Sequence, residues 1–220
     1  MKHRWVWIAA LVAGLSYPLG WHIDLSVTGS QVWKGAGVAL LAVWAAANAR
    51  DTDGWLIAAV MALGALGDVL LELSQTAGAL AFLAGHITAI LLYLRNRRAS
   101  LSTSQRLLAL LVIPLGTAIA FLLPADRAAA PGIAVYALGL TAMVATAWSS
   151  RFPRYRVGIG AVFFMISDLL IFARLGPLAG GFGVGLAIWL LYFVGQAMVA
   201  TGVVTTLARW RADYALHHRL

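Results

Sequence analysis

Apolar runs long enough to cross a bilayer follow one another along almost the whole chain, broken by short polar gaps. Windows of about 20 apolar residues predict eight helices, at 5–21, 31–48, 54–73, 76–94, 105–123, 131–148, 156–173 and 183–208. Pro18, Pro124, Pro131, Pro153 and Pro177 fall at or near the ends of these runs, where a missing amide proton costs least. No stretch reads as a soluble domain. The predicted fold class is therefore all-α: a polytopic membrane protein with one integral membrane domain over residues 1–220. The opening Met1-Lys2-His3-Arg4 and the run behind it are similar to a signal peptide. The run lacks a small-x-small cleavage site and ends in Ser16-Tyr17-Pro18, so it is read as a retained first span.

Two polar positions break the apolar pattern in the same way. Asp68 lies in Leu66-Gly67-Asp68-Val69-Leu70-Leu71 and Asp168 in Ile166-Ser167-Asp168-Leu169-Leu170, each after a small residue and before aliphatic ones. A charged side chain at bilayer depth costs about 2.5–3.5 kcal/mol on insertion scales, so such residues face a protein interior and mark chemistry or ion movement.

Composition supports the membrane reading. Hydrophobic residues make up 62% of the chain and charged residues 11%, against about 25% charged in a soluble domain. The absence of cysteine excludes disulfides, thiolate metal sites and a thiol nucleophile, and any metal site would need His or carboxylate ligands. The net charge of +8 does not read as a nucleic-acid surface, because Lys and Arg sit in the gaps and not along a stripe with stacking aromatics.

Those gaps give the orientation. With the N-terminus inside, Lys2, Arg4, Arg50, Arg95, Arg97, Arg98, Arg106, Arg151, Arg154, Arg156, Arg209, Arg211 and Arg219 are cytoplasmic, and only Arg127 and Arg174 lie opposite. Positive charge is retained inside, so both termini are placed in the cytoplasm of a multi-pass protein of the inner (plasma) membrane. Trp5, Trp7, Trp21, Trp33, Trp55, Trp148 and Trp210 fall near span ends, as interfacial indoles do. Spans three and seven then run outward, putting Asp68 and Asp168 about one turn from their outer ends, with Lys34 of span two at a similar level.

Four spans return a chain to its starting side, so halves 1–104 and 105–220 can form a parallel repeat. Gly67-Asp68-Val69-Leu70-Leu71 pairs with Ser167-Asp168-Leu169-Leu170-Ile171, and Phe82-Leu83-Ala84-Gly85-His86 with Tyr192-Phe193-Val194-Gly195-Gln196. Such a repeat predicts the two aspartates on opposite walls of one lipid-accessible hollow, with His86 and Gln196 below them.

Each candidate has a functional and a plainer reading. Asp68 and Glu72 share a helix face, with Gly64 one turn earlier leaving room; Glu72 at the span end also reads as a solvated acid. Asp168 follows Gly160 and Phe164 on its own face, and its plainer role is a helix-pairing hydrogen bond. Lys34 fits a charge partner of the acids, a binder of phosphate, or a side chain snorkelling to headgroups. His86, on the ladder Gly78-Phe82-His86, fits water activation or proton relay, or simply a bonded core histidine. Tyr192 and Gln196, four apart, orient a ligand or join helices. The stretch Gly180-Gly181-Phe182-Gly183-Val184-Gly185 lacks the strand and Lys of a phosphate loop and is predicted to be a flexible outer loop. No Gly-x-Ser-x-Gly or His-Glu-x-x-His motif occurs, so serine-hydrolase and zincin chemistry have no support.

Taken in order, Lys34, Leu66-Gly67-Asp68 with Leu70-Leu71, Gly78-x-x-x-Phe82-x-x-x-His86, Ser167-Asp168 and Tyr192-x-x-x-Gln196 resemble the YhhN-like lysoplasmalogenase family of eight-span membrane proteins. The chain departs from the family pattern at Ala89, where a Tyr is usual, and in the extra acid Glu72. The resemblance implies hydrolysis of the vinyl ether bond of lysoplasmalogen-like lysophospholipids to a fatty aldehyde and a glycerophospho-alcohol, without a cofactor or metal. Asp68 and Asp168 are the expected acid and base, in either order, with His86 supporting the water and Lys34, Glu72, Tyr192 and Gln196 holding the substrate. The implied partners are the lysophospholipid and the bilayer; the number of copies is open. Two other classes fit the same residues: a small proton-coupled transporter, and a non-catalytic lipid-binding protein.

Overall fold

The structure is a computed structural model describing residues 3–217, so Lys2 and Arg219 of the charge count lie outside the described residues. Its eight α-helices follow the apolar runs closely. α1 (Arg4–Ser16) continues into a 3-10 segment (Tyr17–His22), followed by α2 (Val27–Asn48), α3 (Thr52–Leu71), α4 (Gln75–Arg95), α5 (Thr103–Leu122) and α6 (Ala130–Ser149). A π turn (Arg154–Gly158) leads into α7 (Ile159–Ala173), and α8 (Phe182–His217) ends the described chain.

Six of these, α3 to α6, the π-turn–α7 unit and α8, are long and apolar enough to cross a membrane. The first two helices fall short for different reasons. Pro18 opens the 3-10 segment and ends regular α-helix after 13 residues in α1. α2 has 22 residues but carries Gln31, Lys34 and Asn48 along with its hydroxyl residues. The expectation of eight spans is thus narrowed, on length and hydropathy, to six. The Gly-rich stretch is also shorter as a loop than expected: α8 already begins at Phe182, taking Gly183 and Gly185 into its first turns.

Local chemistry sets the boundaries. Ser26, Asp51, Ser74 and Ser102 accept backbone N–H groups at the starts of α2 to α5, satisfying donors that have no partner inside a helix. Ser102 and Gln105 do so reciprocally, as a capping box.

Consecutive helices pack in sequence through α1–α2–α3–α4, α5 lies on α6, and α7 on α8. The bundle closes where α4 meets α6 and where α2 and α3 meet α8. Without a hydrophobic drive between helices in lipid, close backbone approach through small residues supplies the packing. At the α7–α8 crossing a Cβ on Gly160 would sit 2.7 Å from the Gly195 carbonyl oxygen, and one on Gly195 2.6 Å from that of Gly160. α5 stands at the edge, with only 17% of its membrane window buried.

The two ends of the bundle differ in charge. Arg95 and Asn96 bond Asp53 at 2.8 Å each, and Arg211 reaches Asp51 at 3.0 Å. Arg98 donates to the Ser150 carbonyl, and Arg151 lies over the Trp210 ring. These contacts gather the ends of α2, α4, α6 and α8 with the start of α3 at one basic end. The opposite end holds the 3-10 segment, the α3–α4 turn and the two loops joined by Ala125 N–H to the Leu175 carbonyl at 2.9 Å.

Candidate functional site

A buried carboxyl inside an apolar bundle must find hydrogen-bond donors, and the donors chosen here define the site. Asp68, on the inner face of α3 and 2% exposed, accepts the Tyr192 hydroxyl of α8 at 2.7 Å. Asp168, on α7 and 7% exposed, accepts the Tyr136 hydroxyl of α6, also at 2.7 Å. Each tyrosine is itself backed. The Gln196 side chain, one turn along α8, bonds Tyr192, and His86 Nε2 of α4 lies 3.1 Å from the Tyr136 oxygen.

Because each tyrosine O–H points at its carboxylate, its oxygen is left to accept. Gln196 therefore donates an amide N–H and His86 its Nε2–H, which leaves His86 Nδ1 with a lone pair. Two arms result: Asp68–Tyr192–Gln196 and Asp168–Tyr136–His86. The two acids are close enough to act on each other electrostatically, and the Tyr192 hydroxyl feels both carboxyls.

Local sequence explains how the arms fit. Gly64, one turn before Asp68, is where a Cβ would approach Gln196 Nε2 to 2.9 Å, so the glycine makes room for that amide. Gly67 does the same for the Phe82 ring. Phe82 and Phe164 pack edge-on against each other and against Tyr192, and Phe164 also meets His86. Ser167, before Asp168, donates to the Ile188 carbonyl at 2.9 Å and ties α7 to α8 beside the acid.

Above Asp68, towards the end away from the arginines, Lys34 of α2 forms an ion pair with Glu72. Their side chains are 17% and 39% exposed, and both act on Asp68 electrostatically. Of the roles considered for Lys34, the charge partner is the one the side chain adopts, and its partner is the acid that looked merely solvated.

Below the acids, a cavity of about 20 Å³ is lined by Gly64, His86, Ala89, Tyr93 and Gln196 among others. That is room for a water and not for an alkyl chain. The open, lipid-accessible hollow expected between the acids is therefore closed in this state. The cause is the aromatic packing of Phe82, Phe164 and Tyr192, which fills the space that small residues were expected to leave.

All seven candidates, Asp68, Asp168, His86, Lys34, Glu72, Tyr192 and Gln196, thus lie in one connected region. Sequence reasoning missed Tyr136 and Tyr93. Tyr136 had a usable signal: it sits early in an apolar run, as a polar-tipped side chain near the end that Asp168 approaches. Tyr93 lies seven residues after His86 on the same face of α4 and had none, because a lone tyrosine late in an apolar run fits any core.

Helices of membrane-spanning length enclosing two carboxyls with tyrosine and amide or imidazole partners define a polytopic membrane protein with an intramembrane polar site. The profile of the YhhN family matches residues 29–203, a stretch holding every residue of both arms, and the chain belongs to that family. Comparisons with curated proteins and with solved structures found no match.

Proposed function

We infer that the protein hydrolyses the vinyl ether bond of lysoplasmalogen-type lysophospholipids, releasing a fatty aldehyde and a glycerophospho-alcohol. The observation that carries this reading is the pair of buried aspartates, on α3 and α7, each accepting a tyrosine hydroxyl at 2.7 Å. Family membership suggests a hydrolase of this type.

The chemistry asks for two carboxyls in different protonation states. Protonation of the outer alkene carbon by a carboxylic acid produces an oxocarbenium ion, which a carboxylate stabilises. Water adds to the cationic carbon and gives a proton to a carboxylate of the pair, and the hemiacetal collapses to aldehyde and alcohol. Phenol and amide donors fixed at the carboxyls supply the preorganised polar surroundings that such charge development needs.

In this reading α1 with its 3-10 extension and α2 also cross the bilayer, giving eight spans with both termini at the basic, cytoplasmic end. Residues 1–104 and 105–220 are then parallel halves. The closed site must open to admit a chain, and the lysolipid phosphate takes Lys34 from Glu72. Protein purified in detergent tests the reading: aldehyde release from a 1-alkenyl lysolipid, with no ion gradient, supports an enzyme. No release, together with proton-coupled uptake in vesicles, supports the transporter instead.

A further inference from the structure

The cavity below the acids has a polar side that the two arms do not use. His86, Ala89 and Tyr93 stand at i, i+3 and i+7 on one face of α4, which stacks them along the helix. All three line the cavity, where Ala89 contributes only a methyl. The Tyr93 hydroxyl is fully buried and has no hydrogen-bond partner among the described residues, although Tyr93 is 1% exposed. A helical side chain leans back over the preceding turn, so this hydroxyl is carried towards Ala89 and His86. On the other wall stands Gln196. An orphaned buried hydroxyl loses the full value of its hydration, and a cavity that is roomy enough and offers two to four polar partners holds a water. Tyr93, His86 and Gln196 all line it, and between them they carry a hydroxyl, an Nδ1 lone pair and an amide.

We propose that this cavity is a buried water site, held by Tyr93 and His86, through which Asp168 and not Asp68 exchanges its proton. The role in proton exchange rests on the acid–base reading above; the water site does not. From the water a proton passes to His86 Nδ1, the Nε2 proton of His86 moves to the Tyr136 oxygen, and the Tyr136 proton moves to Asp168 Oδ2. The cavity water takes a proton from solvent as it gives one up, so the chain ends with Asp168 a carboxylic acid, His86 the Nδ1–H tautomer and the cavity holding neutral water. Running backwards, the same chain unloads Asp168. The Asp68 arm ends at Gln196, whose amide donates a hydrogen bond but does not hand on its proton, so that arm passes no proton through this cavity.

Nitrogen NMR of ¹⁵N-histidine-labelled full-length protein in lipid nanodiscs, with His86→Gln identifying the His86 signals, reads the site without turnover. The wild type is expected to show a neutral imidazole whose Nδ1 accepts a hydrogen bond. Tyr93→Phe, which removes only the hydroxyl, and Ala89→Leu, which fills the cavity, each shift that signal towards a free nitrogen. A His86 spectrum identical in wild type and both variants overturns the water site. Steady-state aldehyde release is the second arm: Tyr93→Phe lowers kcat about tenfold with KM unchanged. Wild-type kcat in Tyr93→Phe, alongside a shifted His86 signal, overturns the exchange role and leaves the enzyme reading standing. A wild type that releases no aldehyde, with the signal shifts present, overturns the enzyme reading and the exchange role together but not the water site.

Discussion

The Asp68 and Asp168 arms are built alike and end differently. Both present a carboxyl to a tyrosine hydroxyl at 2.7 Å, and both tyrosines receive an N–H from a third residue. On the Asp68 side that residue is Gln196, and the ion pair Lys34–Glu72 stands nearby. On the Asp168 side it is His86, an imidazole that binds a proton at one nitrogen and releases it at the other. An amide cannot do that near neutral pH. Equal hydrogen bonds therefore give unequal chemistry: the Asp68 arm suits a carboxylate that stabilises positive charge, and the Asp168 arm an acid that is discharged and reloaded.

The largest effect removes either end of the comparison. Asp68→Asn and Asp168→Asn keep shape and hydrogen bonding but lose the carboxyl, and each should lower kcat by about 10²–10⁴, with unchanged size-exclusion profile and helical circular dichroism. Next, Tyr136→Phe and Tyr192→Phe each remove a hydroxyl donated to a carboxyl, a bond worth about 1.5–3 kcal/mol when the partner is charged. Thermal unfolding in detergent should show similar destabilisation of the two variants, while aldehyde release falls further in Tyr136→Phe because that change also cuts the path to His86. His86→Gln is narrower still. It keeps a donor for Tyr136 and turns the second arm into a copy of the first, so kcat drops about tenfold while KM holds. The smallest effect belongs to Glu72→Gln. Partly exposed ion pairs are worth at most about 1 kcal/mol, so freeing Lys34 for the substrate phosphate lowers KM by no more than about fivefold, with kcat unchanged.

Much of this architecture was legible along the chain. Apolar run length located every helix to within a few residues, apart from the extended end of α8, because lipid forces backbone hydrogen bonds inside each segment. Asp68 and Asp168 stood out since a carboxyl in such a run has few uses, and the four-residue spacing of Tyr192 and Gln196 gave a shared face. What the pattern could not give was which residue meets which across helices. Helical periodicity assigns a face and not a partner, so Lys34 pairing with Glu72, and Tyr136 lying between His86 and Asp168, appear only once α2 meets α3 and α6 meets α7. The size of the hollow was equally hidden. Gly64 read as free space, whereas Gln196 occupies it. The shortfall of α1 was hidden too: a run of apolar letters did not reveal that Pro18 would change the helix type.

Hydrolysis of a 1-alkenyl lysolipid in D₂O reads whether a carboxyl of this site protonates the outer carbon of the vinyl ether. With the aldehyde trapped at once and weighed by mass spectrometry, one deuterium is expected on the carbon next to the carbonyl, with release from Asp68→Asn and Asp168→Asn lowered about 10²–10⁴-fold. Aldehyde carrying no deuterium at that carbon, or near-normal release from either variant, contradicts that protonation.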